Sequence, residues 1–169
     1  GHPTIYPMEL ADHQITQLTR GYAIDPEPRW MPDGQTIVFT SDRSGKPQLY
    51  QISASGGAAT RITFQGDYNA NASIAWDGKH IAMVQGNGNV YRIAVLDKTT
   101  GDSKPISVGN LDDHPSYAPN GSMLLYTATE GPRDVLYAVS ANGRVRPRLV
   151  LADGDVREPA WSPYRQRGQ

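Results

Sequence analysis

The sequence predicts an all-β chain folded as part of a β-propeller, and three observations support this prediction. A strand-and-turn phrase recurs four times at intervals of 43 or 44 residues, in residues 27–34, 72–78, 114–121 and 158–164. Each of the first three copies is followed by further short segments rich in β-branched and aromatic residues, separated by Gly-containing turns. No stretch shows the sustained period of an amphipathic helix, so we expect almost no helix. Units of roughly 40–45 residues with four strands are typical of propeller blades.

The first two strands of each unit are joined by a tight turn. The first strand is the Pro-x-Trp or Pro-x-Tyr segment, and it ends at residues 32–34 or 119–121, where Asp-Gly or Asn-Gly provides the positive φ that a hairpin requires. The second strands are the apolar runs 36–40, 81–84 and 123–126. Continuous apolar runs bounded by Gly and Pro favour strands that are buried on both faces.

The third strand follows a polar loop and is centred on Tyr50, Tyr91 or Tyr137. The predicted polar loops are residues 42–46, 86–89 and 129–133. A second turn leads to the fourth strands, which are predicted at residues 60–63, 104–108 and 148–151. Residues 4–8 and 14–19 fit the same scheme as a third and a fourth strand, and residues 159–161 as a lone first strand.

The predicted domain organisation is half a blade, three complete blades and a closing strand. Residues 3–164 form this partial propeller, with blade boundaries near residues 25, 69, 113 and 157. Gly1 and His2 are typical of the remnant of an affinity tag, and residues 165–169 form a tail. Open blade edges favour pairing with another copy, so we expect that the fragment can self-associate.

Composition excludes several classes of protein. Sixteen basic and seventeen acidic residues give a net charge of −1, and the basic residues are not clustered, so a nucleic-acid binder is not indicated. The absence of cysteine excludes disulfides, thiol catalysis and Cys-based zinc sites. No apolar run approaches the ~20 residues that span a bilayer.

We expect no catalytic residue, cofactor or metal site. Gly-x-Ser-x-Gly is absent, and Ser116, His114 and Asp113 are near neighbours on one strand, where successive side chains point to opposite faces. Residues 67–71 begin like a calcium loop, but the required Gly and bidentate Glu are missing.

Candidate binding residues lie where the loops after second and fourth strands meet on one rim of the propeller. Such a rim surrounds the mouth of the central channel, and loops carry binding residues more often than strands do. For any single residue, the alternative is a turn former or a solvated charge. The candidates are Pro26, Glu27, Tyr68, Asn69, Asn71, Asp112, Asp113, His114, Arg157 and Glu158.

The chain resembles the TolB family of the bacterial Tol–Pal envelope system from about residue 4 to residue 164. The resemblance lies in the repeated Pro-Asp-Gly phrase, in Phe-Thr-Ser-Asp-Arg-Ser-Gly-Lys-Pro-Gln at 39–48, in Leu-Asp-Asp-His-Pro at 111–115, in Ala-Pro-Asn-Gly at 118–121 and in Pro-Ala-Trp-Ser-Pro-Tyr at 159–164. It implies a six-bladed propeller preceded by a smaller α/β domain. The chain would then hold half of the third blade, blades four to six and the strand that closes the first blade.

The resemblance also implies a non-enzymatic docking protein of the periplasm. In such proteins the channel mouth binds the peptidoglycan-associated lipoprotein Pal, colicin segments enter the same mouth, and the N-terminal domain contacts other Tol proteins. The system maintains the outer membrane and supports constriction at division. Pro26, Glu27, Asp113 and His114 fall where the family's partner-binding loops enter the blades.

Two other functions are weighed against docking. Similar turns occur in the propellers of prolyl-oligopeptidase-like and tricorn-like serine peptidases. A glycan- or calcium-binding propeller is suggested by Tyr68, Asn69, Asn71 and the Asp112–Asp113 pair.

Overall fold

The computed structural model describes residues 28–149, and every regular element within that range is a β-strand. The strands form three four-stranded sheets. The strands predicted at 4–8, 14–19 and 159–161, and the blade boundaries near 25 and 157, lie outside the described residues. The prediction of an all-β chain with almost no helix is confirmed for residues 28–149.

Each sheet is built from four consecutive strands. The first contains β1 (Arg29–Trp30), β2 (Thr36–Ser41), β3 (Gln48–Ser53) and β4 (Thr60–Arg61). The second contains β5 (Tyr68–Ile74), β6 (His80–Asn87), β7 (Val90–Asp97) and β8 (Ser103–Pro105). The third contains β9 (Asp112–Tyr117), β10 (Met123–Glu130), β11 (Arg133–Ser140) and β12 (Arg148–Leu149).

All three sheets are antiparallel meanders in which each strand pairs with its neighbours along the chain. The first strand of the second sheet contacts β1, β2 and β3, and the first strand of the third sheet contacts β5, β6 and β7. Consecutive sheets therefore pack side by side in chain order, which is the arrangement expected of successive propeller blades.

The repeated turn owes its shape to an Asp or Asn followed by Gly. Asp33 Oδ1 accepts hydrogen bonds from the amides of Gln35 (2.8 Å) and Thr36 (3.0 Å). In the second sheet Asp77 Oδ1 accepts from the amides of Lys79 and His80, and in the third Asn120 Oδ1 accepts from the amide of Ser122. The three turn glycines have φ of 67°, 68° and 73°, which side chains rarely adopt. The hairpin prediction is confirmed at Gly34, Gly78 and Gly121.

Two predicted loops are much shorter than the sequence suggested. Strands β6 and β7 pair as far as Asn87 and Val90, so the expected loop 86–89 is reduced to residues 88–89. Strands β10 and β11 pair as far as Glu130 and Arg133, and only residues 131–132 connect them. Polar residues on these strand ends are exposed, and exposed polar side chains do not prevent backbone pairing.

The fourth strands of the first two sheets, β4 and β8, are shorter than predicted because a side chain replaces the last backbone acceptor. The predicted end of the third, residues 150–151, lies outside the described residues. The amide of Ile93 donates to Ser107 Oγ (2.8 Å), and the amide of Leu49 donates to Thr63 Oγ1 (3.0 Å). Ser107 and Thr63 are 44 residues apart and lie just beyond β8 and β4. Each hydroxyl satisfies the neighbouring strand while its own backbone leaves the sheet.

Two hydrophobic layers lie between the described sheets, and a third cluster, built on Ile37, Phe39, Tyr50 and Ile52, belongs to the first sheet. Alternate residues of β6 belong to different layers. Met83 packs with Val38 and Leu49 of the first sheet, whereas its neighbour Val84 packs with Leu124 of the third. Side chains of a strand alternate between faces, so β6 must be apolar on both. This explains the continuous apolar runs of the second strands, as predicted.

Candidate functional site

The two rims of the stacked sheets have different contents. The loop rim comprises residues 42–47, 62–67, 88–89, 106–111 and 131–132, which follow second and fourth strands. The turn rim comprises residues 31–35, 54–59, 75–79, 98–102, 118–122 and 141–147, which follow first and third strands. Strands β5 and β9 begin at the loop rim, so the six described candidate residues lie at or just inside it. Pro26, Glu27, Arg157 and Glu158 lie outside the described residues.

Asn71 and His114 occupy matching bulges in β5 and β9, the first strands of the second and third sheets, which we call the inner strands. In β5 the pairing passes from Ala70↔Val84 to Ser73↔Ala82, and in β9 it shifts in the same way between Thr127 and Leu125. Each bulge contains a residue with positive φ, 57° at Asn71 and 54° at His114. Asn and His tolerate this conformation better than most side chains. Bulges change the direction of a side chain, and they are common beside functional sites.

The two bulges are joined by the carboxylate of Asp113. Its Oδ1 accepts hydrogen bonds from Asn71 Nδ2 (3.0 Å) on the second sheet and from the amide of His114 (2.7 Å) on the third. Asp113 therefore links two neighbouring sheets at the inner end of the loop rim. We call Asn71, Asp113 and His114 the bulge cluster.

The imidazole of His114 is oriented by Thr127. The hydroxyl of Thr127 donates to the carbonyl of Asp113 (3.2 Å), and its oxygen lies 3.1 Å from His114 Nδ1. Because the Thr127 hydroxyl hydrogen is already donated to Asp113, its oxygen can only accept from His114, and this favours a proton on Nδ1 of the imidazole. His114 is exposed, so Nε2 is the nitrogen that can accept a hydrogen bond from a partner.

Asn69, one of the candidate residues of the rim, is buried. Its Nδ2 donates to Gln48 Oε1 (2.9 Å) and to the carbonyl of Gln65 (2.7 Å). Its Oδ1 accepts from Gln85 Nε2 (3.1 Å). A buried amide needs such partners, so Asn69 connects the first two sheets and presents no polar group to a ligand.

Asp112, another candidate residue of the rim, is also buried. Its Oδ2 accepts from Ser107 Oγ (2.6 Å) and from the amide of Gly109 (2.9 Å), while Oδ1 has no hydrogen-bond partner. Burial raises the pKa of the Asp112 carboxyl, although these two hydrogen bonds act in the opposite direction. Asp112 fixes the loop that leads into Asp113 and His114.

Gly109 is required by this arrangement. A Cβ at Gly109 would collide with the Asp112 carboxylate. The backbone can approach the carboxylate only because residue 109 has no side chain.

Tyr68 has a packing role. Its ring meets the ring of Tyr91 edge-on, with centroids 5.3 Å apart and an interplanar angle of 88°. Both tyrosines lie against Gly86, where a Cβ would be 2.9 Å from Tyr68 Cβ and 2.8 Å from Tyr91 Cε1. Tyr68 is half-buried, so only part of it contributes to the surface.

Sequence reasoning missed an apolar component of the loop rim. Phe64 is 67% exposed, Val108 65% and Leu111 51%. Arg61 lies over the Phe64 ring, with Cζ 5.0 Å from the centroid. The 44-residue spacing of Phe64 and Val108 could have revealed these equivalent positions, but composition alone did not distinguish them from core residues.

The described residues offer no cluster for a metal ion. Within 28–149, no group of three or more His, Asp or Glu side chains is arranged to hold one. Asp67, the first residue of the calcium-like stretch, instead pairs with Lys46 (Nζ–Oδ2 3.4 Å).

Comparison with known proteins establishes the family. A family model described as the TolB beta propeller domain matches residues 1–165. The chain belongs to the TolB propeller family. The Tol-Pal system protein TolB of Xanthomonas campestris pv. campestris (strain B100) is 63% identical over 117 residues, which cover 68% of this chain and 27% of that TolB. The chain therefore spans about a quarter of the length of the curated relatives it matches.

Solved structures agree with this assignment. TolB from Acinetobacter baumannii has a TM-score of 0.78 and 42% identity, with 85% of this chain and 36% of that chain covered. A putative TolB from Agrobacterium tumefaciens has a TM-score of 0.70, and the match covers 76% of this chain and 47% of that chain. Its sequence identity is 19%, so this similarity supports the fold alone. The predicted family and the partial β-propeller are confirmed.

Family membership also bears on the class of protein. TolB proteins are non-enzymatic binding proteins of the Tol-Pal system, which agrees with the prediction that the chain is not an enzyme. Within the described residues there is no helix with the length and hydropathy of a membrane span.

Proposed function

We propose that the chain contributes part of the surface by which a periplasmic TolB protein docks the lipoprotein Pal at the channel mouth. Colicin translocation segments use the same mouth, and docking supports outer-membrane integrity and constriction at division. Other Tol proteins bind through the N-terminal domain. The proposal combines membership of the TolB family with the geometry of the loop rim.

The bulge cluster is the observation that carries the proposal. It presents a carboxylate and an imidazole from the third sheet, and Asn71 of the second sheet and Thr127 hold them in place. A residue with positive φ persists only where its surroundings fix it, so the cluster is organised before a partner arrives. Preorganised polar groups bind with a smaller loss of entropy than mobile ones.

The exposed apolar residues of the loop rim complete a surface suited to a protein partner. Protein interfaces combine apolar contacts with hydrogen-bonding groups, and aromatic residues are enriched in them. Phe64, Val108 and Leu111 provide the apolar part, and Asp113 and His114 the polar part. The mixed apolar and polar character of this rim is typical of a surface that binds a protein.

Calorimetric titration of full-length TolB with soluble Pal tests the proposal. We expect Asp113→Asn to weaken binding by about tenfold or more, which corresponds to ~1.4 kcal/mol. Asp102→Asn is the matched control, because Asp102 is an exposed aspartate on the turn rim, and it should leave the affinity unchanged. Absence of heat at micromolar concentrations of both proteins would contradict Pal docking.

Self-association of the fragment is tested separately. Open blade edges at either end would pair between copies, so the mass of the 169-residue chain in solution should rise with concentration. A constant monomer mass over that range would exclude self-association.

A further inference from the structure

The turn rim carries an exposed tryptophan that the fold does not require. Trp76 stands where the other two sheets have Pro32 and Pro119, directly before the Asp-Gly or Asn-Gly of the turn. Asp77 and Gly78 shape this turn as Asp33 and Gly34 shape the first, so proline would serve equally well. The indole is therefore an addition to the turn.

The structure holds this indole in a fixed position. Trp76 Nε1 donates to the carbonyl of Asn120 (3.2 Å), and the ring lies against Gly121, where a Cβ would be 2.7 Å from Nε1. The residue nevertheless remains 67% exposed, so the side of the ring away from Gly121 faces solvent. A fixed aromatic surface open to water is suited to stacking with a ligand.

A pocket of about 360 Å³ lies on the same rim between the second and third sheets. Its volume is in the range of roughly 300–1,000 Å³ found for small-molecule sites. Val95, Ile106 and Ala141 provide apolar lining. Polar groups of both charge signs surround them, including Asp97, Asp102, Lys104, Arg144, His80 and Asn142.

Trp76 does not itself line this pocket, but two short connections link its turn to residues that do. His80, which lines the pocket, lies 2.8 Å through Nδ1 from Oδ2 of Asp77, the residue after Trp76. On the other sheet, the carbonyl of Ser122, next to Gly121, accepts a hydrogen bond from Ala141 (3.0 Å), which also lines the pocket.

Comparison of the repeats indicates that part of the charged lining is not needed for folding. Asp102 and Lys104 correspond, 44 residues earlier, to Ala58 and Thr60 in the first sheet. Asp97 and its counterpart Ser53 differ from them, because each accepts a hydrogen bond from the amide two residues further on. The two sheets have the same strand pairing despite these differences. Charged groups that the repeat does not require are candidates for binding.

We propose that Trp76 and this pocket form a binding site for a neutral saccharide. The balanced charges disfavour a polyanion or a simple cation, because neither sign dominates the potential. Carboxylate, amide and guanidinium groups around apolar lining offer both donors and acceptors for hydroxyl groups. The indole adds a surface on which a sugar ring stacks.

An extended peptide fits this site less well. It would add to the edge of β8, which has only three residues and contains Pro105. The carbonyl of Ile106, directly after β8, already accepts a hydrogen bond from Arg146 Nε (2.9 Å). Little open backbone is left for a further strand.

The test is an NMR titration of the full-length protein with chitotriose, cellotriose and maltotriose as probes. We expect at least one sugar to shift the indole signal of Trp76, identified by its loss in Trp76→Phe, together with the amide signals of Ser103 and Asn142. Trp76→Ala should weaken binding by about tenfold or more. Phe64→Ala is the matched control, because Phe64 is an equally exposed aromatic residue on the opposite rim. This variant should bind the same sugar with the affinity of the parent.

Three outcomes would overturn the proposal. The first is that none of the three sugars shifts these signals at millimolar concentration. The second is that shifts persist in Trp76→Ala and Asp102→Asn, which would locate binding elsewhere. The third is that only a zwitterionic dipeptide such as Ala-Ala shifts the signals, which would replace the saccharide with a peptide ligand. Pal affinity is measured separately, so this result is independent of the proposed docking function.

Discussion

Positions that correspond between sheets carry corresponding roles at the scale of single residues. Asn69 and Asp112 are both buried and organise the start of an inner strand, and Asn71 and His114 both adopt a positive φ. The chemistry differs within each pair, because an amide can both donate and accept whereas an ionised carboxylate only accepts. Asp112 Oδ1 thus remains without a partner, while both polar atoms of Asn69 are satisfied.

Asp112 is expected to make stability depend on pH. Its pKa is higher in the folded than in the unfolded chain, so its contribution to stability is full below the unfolded value and is lost as pH rises through the folded value. Asp112→Asn removes this loss. We expect the difference in Tm, variant minus parent, to be larger at pH 7 than at pH 4 when both are measured by thermal denaturation.

Asp33 provides a control of opposite sign. Hydrogen bonds, chiefly from the amide of Gln35, lower the pKa of its carboxyl. Its contribution to stability is therefore present above the unfolded pKa and is lost as pH falls through the folded pKa. The difference in Tm between Asp33→Asn and the parent, variant minus parent, should be smaller at pH 7 than at pH 4. Equal pH trends for the two variants would contradict the assignment.

His114 is expected to separate binding from folding. His114→Asn keeps a residue that tolerates positive φ but removes the imidazole, so Pal binding should weaken while Tm stays unchanged. His114→Val should instead destabilise the fold by roughly 1–2 kcal/mol, because a β-branched side chain is strained in this conformation. Calorimetry and thermal denaturation of both variants measure the two effects. Loss of stability in His114→Asn would assign the residue a structural role.

At the scale of elements, hydrogen-bond satisfaction sets the lengths of strands more than polarity does. The sequence predicts Gly86 in a loop, but it pairs with Tyr91 inside the sheet, where the absence of a side chain leaves room for the Tyr91 ring and for Cβ of Tyr68. Thr63 and Ser107 were expected in strands, yet their hydroxyls end the pairing. These outcomes depend on neighbouring strands, which a linear pattern does not specify.

Gly86→Ala is the corresponding prediction. A Cβ there would be 2.8 Å from Tyr91 and 2.9 Å from Tyr68, so the rings must shift. We expect a loss of roughly 1–3 kcal/mol in the free energy of unfolding, measured by denaturant titration. Asn87→Ala, at an exposed position of the same strand, should change it by less than about 0.5 kcal/mol. Similar losses in both variants would show that the aromatic contact is unimportant.

At the scale of the whole molecule, each described interface between sheets has its own hydrophobic layer. Met83 belongs to the layer between the first and second sheets, and Val84 to the layer between the second and third. Repeat proteins of this kind gain stability from each unit and from its contacts with the neighbouring units.

A double-mutant cycle tests the independence of the two layers. Met83→Ala should reduce the free energy of unfolding by about 2–5 kcal/mol, and Val84→Ala by less because fewer atoms are removed. Their coupling energy should stay below about 0.5 kcal/mol, because the side chains share no layer. Denaturant titration of the two single variants and the double variant provides the measurement. A coupling above about 1 kcal/mol would mean that the layers act together.

The sequence by itself determined the repeat, the turn chemistry, the apolar second strands and the family, because each of these depends on residue type at a fixed spacing. It also predicted that Asp113 and His114 lie near the start of an inner strand, and β9 begins at Asp112. Only the tertiary structure decided that Asn69 and Asp112 are buried and that Phe64, Val108 and Trp76 are exposed. Burial and the partners of a side chain depend on the sheet packed against it, and that sheet is formed by residues more than 40 positions away.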